Sequence, residues 1–172
     1  MAQPEIRPLQ LVFAPLKTAR TEYLVQKAVE MGVSDLHPVI MDHGQISKIA
    51  EDKWRRYAIE AAEQCGILSI PRIHPIQSLE ATVTALSEKS RFIFCDEISE
   101  QSQLSHDKPE IKDHIPTVII GPEGGFSKRE RVFLASLEKT DILSLGPRIL
   151  RADTAMVAAL ALVQSTLGDW YS

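Results

Sequence analysis

The chain has 172 residues, 44% of them hydrophobic and 24% charged, with only two cysteines, which excludes collagen-like, disordered and disulfide-stapled classes and fits one soluble globular domain. A chain of this length buries roughly 70% of the surface its unfolded form exposes, so its core needs no metal or disulfide staple. Nineteen basic against 23 acidic side chains give a net charge of −4, which argues against indiscriminate coating of nucleic acid and leaves room for a localised RNA site.

Leu9 to Ala14 reads as a buried strand, and Arg20 to Met31 as a helix with Leu24, Val25, Ala28 and Val29 on one side and Gly32 as a left-handed stop. Val33 to Met41 supplies a second strand, broken by Pro38. Glu51 to Cys65 sets Trp54, Tyr57, Ala58, Ala61, Ala62 and Cys65 at helical spacing and ends at Gly66. Short strands are expected at Arg72 to Ile76, Arg91 to Cys95 and Thr117 to Ile120, with a helix over Leu79 to Leu86. Ser127 and Glu130 match a capping box that opens a helix running to about Glu138. Asp141 to Leu145 is the last strand. The helix from about Asp153 to Leu167 is apolar on nearly all sides, so it belongs in the core or a subunit interface. This alternation implies an α/β fold: a mainly parallel sheet with helices on both faces.

The charge excess is concentrated between Asp96 and Asp113, where Asp96, Glu97, Glu100, Asp107, Glu110 and Asp113 face only Lys108 and Lys112. That pattern reads as a solvated acidic loop, or as a segment that keeps nucleic acid off one surface. Cys65 and Cys95 lie in apolar segments and are expected as buried free thiols in a reducing compartment. No basic region leads into an apolar stretch at the N-terminus, and the longest apolar run, Ala155 to Val163, is too short to span a bilayer. A cytoplasmic protein without membrane contact is expected. His37, His43, His74, His106 and His114 show no pair at ligand spacing, so no metal is assigned.

Two loops are the places where this fold class binds ligands, at the carboxyl ends of buried strands. Gly121-Pro122-Glu123-Gly124-Gly125-Phe126-Ser127 follows Val118-Ile119-Ile120, and Gly146-Pro147-Arg148-Ile149-Leu150-Arg151 follows Leu143-Ser144-Leu145. Paired glycines let a backbone approach a flat heterocycle and offer it N–H and C=O groups, although each loop alone is also explained as a tight turn. Neither loop carries the G-x-x-x-x-G-K-[ST] pattern of a P-loop or the G-x-G-x-x-G dinucleotide fingerprint.

These strings, with Leu145 through Ala155, Gln26 to Val33 and Ile59 to Gly66, closely resemble the RsmE family of uridine-N3 methyltransferases, which modify 16S ribosomal RNA of the small subunit. The resemblance covers roughly residues 9 to 165. It implies membership of the SPOUT superfamily, a C-terminal deep trefoil knot, a homodimer, and S-adenosyl-L-methionine as cofactor. Carried over by position, it places cofactor contacts at Gly121, Glu123, Gly124, Gly125, Leu145, Gly146, Ile149 and Leu150. The family also carries an N-terminal PUA-like RNA-binding barrel, which is expected to be absent here because the first strand starts near Leu9. The segment Met41 to Ser47 lacks the arginine that often follows the second strand in such proteins.

Uracil N3 bears a proton at neutral pH, so its methylation needs a base or a cation that stabilises the anion. Glu123 and Asp153 are the carboxylates nearest the loops, and Arg151 and Arg148 the cations. Asp153 is read equally well as a helix N-cap before Thr154, and Glu123 as a carboxylate accepting loop N–H bonds. Lys128 and Arg129, with Arg131, are candidates for RNA phosphates or for a solvated helix face. Lys17 and Arg20 are weaker candidates of the same kind. The alternatives are a non-catalytic RNA- or ribosome-binding factor of this fold, or a methyltransferase of the same fold acting on a ribose 2′-hydroxyl or on transfer RNA.

Overall fold

A computed structural model describes residues 7–96 and 113–170. Strands and helices follow in the order β1 (Gln10–Phe13), α1 (Thr18–Glu30), β2 (Asp35–Ile40), α2 (Glu51–Cys65), β3 (Arg72–Ile73), β4 (Gln77–Ser78), α3 (Leu79–Leu86), β5 (Ser90–Cys95), β6 (Ile115–Ile120), α4 (Lys128–Ala135), β7 (Thr140–Leu143) and α5 (Ala152–Thr166). The sheet order is β3-β2-β1-β6-β5-β7, with β4 also paired to β2, and every described pairing is parallel. Of the acidic segment, only Asp96 and Asp113 lie among the described residues; Glu97, Glu100, Asp107, Glu110, Lys108 and Lys112 lie outside them, as does His106.

Successive strand side chains point to opposite faces, and both faces are covered. Leu11, Phe13, Leu36, Ile93, Val118 and Ile120 pack with residues of α1, α2 and α5, whereas Val12, Val39, Phe92, Phe94 and Ile119 pack with α3 and α4. Gly32 and Gly66 take the left-handed conformation that ends α1 and α2, with φ of 77° and 64°. Among the described residues, no helix is long and apolar enough to cross a membrane.

Several boundaries differ from the sequence expectation for physical reasons. Pro38 does not break β2. It pairs with Phe13 on one side, and on the other it falls between the end of the β3 pairing at Leu36 and the start of the β4 pairing at Val39, where a missing N–H costs no ladder bond. Of the strand expected over Arg72 to Ile76 only Arg72–Ile73 forms, as β3, ahead of Pro75, which has no N–H for a ladder; β4 begins beyond it at Gln77. Helix α4 stops at Ala135, where the Ser136 hydroxyl donates to the Phe133 carbonyl at 2.7 Å and competes with the helix backbone. Strand β7 stops at Leu143 because its partner residue, Cys95, is the last of β5. Cys65 is exposed rather than buried. Cys95 is half-buried, and burial pushes its thiol up to about 12, so it stays protonated.

Candidate active site

A parallel sheet gathers the carboxyl ends of its strands at one edge, and there the β6 and β7 loops meet. Gly125 and Gly146 have φ of 67° and 96°, which residues with a Cβ rarely adopt. The first turn is closed by the Gly125 N–H donating to the Pro122 carbonyl at 2.8 Å. A Cβ on Gly121 would lie 3.4 Å from both Gly125 and the Phe126 ring. A Cβ on Gly146 would meet no atom within 4 Å, so that position looks onto open space.

Between the loops lies a cleft whose lining includes Gly121, Glu123 and Gly125 on one side and Leu145, Gly146, Arg148 and Leu150 on the other. Cys95 and Asp96 at the end of β5, Arg131 of α4, and Ala152 and Ala155 of α5 also line it. The mixture is apolar walls, exposed backbone edges and a few charges, the usual make-up of a small-molecule site.

Not every expected residue reaches this cleft. Gly124 faces away, toward His43, whose Nδ1 lies 3.0 Å from the Gly124 carbonyl oxygen and 3.2 Å from that of Gly125. Ile149 is 84% exposed and is absent from the lining. Glu123 meets the Arg20 guanidinium at 3.4 Å, so Arg20 serves the first loop across 103 residues of sequence. Asp153 is not the N-cap of α5; Arg151 holds that position, and the Asp153 carboxylate in the first turn accepts the Thr154 N–H at 3.0 Å. Arg151 and Lys128 are exposed. Arg129 is committed elsewhere: it pairs with Asp42 at 2.7 Å and with Glu80. Its guanidinium, helped by the Ser127 hydroxyl, holds the Asp42 carboxyl below its usual range. Arg131 pairs with Asp96 at 3.1 Å.

The capping box expected from sequence locks the first loop from outside, and a tie to Asp42 that the sequence did not reveal extends it. The capping box is formed: the Ser127 hydroxyl accepts the Glu130 N–H, and the Glu130 carboxylate accepts the Ser127 N–H. The other Glu130 oxygen accepts the Asp42 N–H at 2.8 Å, which ties the segment after β2 to the glycine loop. Glu130 is 1% exposed. Glu130→Ala strands both N–H donors and removes charge-assisted bonds, so urea unfolding should register a loss of about 2–3 kcal/mol; a loss below about 0.5 kcal/mol would remove Glu130 from this role.

A second polar cluster sits at the β2–β3 side. His37 and His74, which showed no ligand spacing in sequence, stack with ring centroids 4.0 Å apart and planes 14° from parallel. Asp35 meets His74 Nε2 at 2.8 Å and Arg72 Nε at 2.9 Å. Candidate ligand atoms of Asp35, His37 and His74 lie within 4.8 Å of one another. In-plane lone pairs on near-parallel rings do not converge on one point, and Arg72 already brings a positive charge to the carboxylate. The arrangement is an ion-paired network rather than a formed metal centre.

Burial, followed by the charges of His74 and Arg72, lowers the His37 imidazole to about 4, despite the opposing pull of Asp35. Between its ordinary 6.5 and about 4 the unfolded chain holds a proton there that the folded chain does not, so stability falls as pH falls through that window. The loss from pH 7 to 4.5 should be about 2–3 kcal/mol and should be missing from His37→Phe in urea titrations at the two pH values. Equal losses in both proteins would contradict it.

Known proteins match this geometry. A family model described as an RNA methyltransferase domain matches residues 3–164. Ribosomal RNA small subunit methyltransferase E of Aquifex aeolicus is 31% identical over 165 residues, covering 94% of this chain and 69% of the relative. The chain belongs to the ribosomal RNA small subunit methyltransferase E family. The family's member from Rickettsia conorii is 28% identical over 157 residues, covering 91% of this chain and 64% of the relative. The chain therefore spans a little under two thirds of that relative's length. Among solved structures, the family's enzyme from Neisseria gonorrhoeae, bound to S-adenosyl methionine, superposes with a TM-score of 0.80 at 27% identity, covering 95% of this chain and 68% of that one. The family resemblance and the parallel α/β fold read from sequence are thus borne out.

Proposed function

We propose that the chain is an S-adenosyl-L-methionine-dependent methyltransferase acting on uridine N3 of 16S ribosomal RNA, as naked RNA or in the assembled small subunit, in the cytoplasm. The observation that carries this is the joining of both glycine loops around one cleft in a member of this family. The Neisseria gonorrhoeae enzyme is bound to S-adenosyl methionine, and the cleft here suits the same molecule. Backbone edges at Gly121, Gly125 and Gly146 offer hydrogen bonds to an adenine, Leu145 and Leu150 offer apolar walls, and Gly146 leaves space that a side chain would fill. When bound, the cofactor supplies an electrophilic methyl group.

The protein's part is to free and hold the nucleophile. Glu123, in the cleft wall, takes the N3 proton, while Arg20 on its other side sets its position. Arg148 at the rim balances the anionic uracil as the proton leaves, by paired N–H donors to an oxygen. Arg151, at the start of α5, and Lys128 engage neighbouring phosphates. Asp153, turned to Thr154, is left out of proton transfer, and Arg129, held by two carboxylates, is left out of RNA contact. The segment after β7 is read as the knotted part of the fold. The same segment, with exposed Leu162 of α5 (43%), is the face for a homodimer.

Labelled S-adenosylmethionine and unmodified small subunits test the reading. Nucleoside mass spectrometry should find 3-methyluridine. Methylation of a ribose 2′-hydroxyl, or no methylation by a protein that binds the cofactor, would replace it with one of the alternatives.

A further inference from the structure

A second cavity, of about 200 Å³, lies beside the cleft and has no part in the chemistry above. It is bounded by Thr18 at the start of α1, by Lys48 and Ile49 in the segment before α2, and by Lys53, Trp54 and Tyr57 on α2. Its position follows from the sheet. Phe13 of β1 pairs with Ile120 of β6, so the turn after β1 emerges one strand away, about 4.8 Å, from the first glycine loop. The first turn and a half of α1 divides the two hollows: Thr18 and Thr21 line the cavity, and Arg20 reaches Glu123 in the cleft.

The chemistry of the walls is specific. Trp54 is 6% exposed and stacks on Phe13 at 5.7 Å, which fixes the inner wall. Tyr57 is half-buried, and Lys53 Nζ stands 5.6 Å from its ring centroid. Lys48 is exposed, and neither lysine forms an ion pair among the described residues. Glu51 and Asp52, in the first turn of α2, are outside the lining. A hollow with an aromatic face, a hydroxyl and two unpaired ammonium groups suits one unpaired nucleotide, its base against the ring and its phosphate between the lysines.

We propose that this cavity is a second nucleotide subsite, which takes an unpaired nucleotide flanking the methylated base and fixes the register of the RNA strand relative to the cleft. The assignment rests on the RNA methyltransferase reading. Binding of a fluorescein-labelled hexauridylate, followed by anisotropy at several salt concentrations, tests it on the whole chain. Lys48→Ala/Lys53→Ala should weaken binding at least tenfold and reduce the slope of log affinity against log salt by about 0.7, the contribution of the one single-strand phosphate held between them. Tyr57→Leu should weaken binding at least fivefold with the slope unchanged. Affinity for S-adenosylmethionine should be the same in all three proteins. Variants that bind hexauridylate within twofold of the wild type, while the wild type methylates small subunits, overturn the subsite alone. A wild-type protein that neither binds S-adenosylmethionine nor methylates small subunits overturns the methyltransferase reading, and the subsite with it.

Discussion

Gly146→Val should weaken S-adenosylmethionine binding by at least 100-fold in calorimetry, about 2.7 kcal/mol, while circular dichroism stays that of the wild type. Two effects act together. Gly146 has φ of 96°, so any L side chain there strains the loop by about 1–2 kcal/mol or moves it. A side chain at that point also extends into the open space that no protein atom approaches within 4 Å. Because the residue is exposed, little of the folding free energy depends on it, and the effect is on the site. Binding within threefold of the wild type would show that the cofactor does not lie against the second loop.

Asp141→Asn should cost at least about 3 kcal/mol of stability in urea unfolding. Arg91 Nε donates to Asp141 Oδ2 at 2.7 Å, and the two side chains are 3% and 0% exposed. The replacement keeps the shape and removes the negative charge that faces the buried guanidinium. The pair joins β5 to β7, and the loop after β7 carries Leu145, Gly146 and Leu150. Against a total stability of roughly 5–15 kcal/mol, such a loss removes between about a fifth and somewhat over half of the margin. Arg91→Met with Asp141→Leu should recover most of it. A single variant as stable as the wild type would make the pair dispensable.

The elements were legible because each rests on a local pattern: α2 on the spacing of Trp54, Ala58, Ala61 and Ala62, α4 on Ser127 and Glu130, and both loops on glycines after apolar strands. Long-range pairs leave no such trace. Arg20 with Glu123, Arg129 with Asp42, Arg131 with Asp96 and His37 with His74 are joined only by the sheet order, and no spacing rule links them. For that reason Arg129 read as an RNA contact and the histidines as scattered. Cys65 continues the α2 stripe by spacing, yet it is the last residue of the helix, where no neighbour covers it.

The pairing of β1 with β6 joins residues 107 positions apart in sequence, as Thr117 Oγ1 on Gln10 Oε1 illustrates. During synthesis β1 leaves the ribosome early, and its inner edge remains open until β6 follows. Loop closure over that distance delays the rewarding contacts, so folding should be slow, with one edge of β1 exposed to wrong partners until β6 arrives.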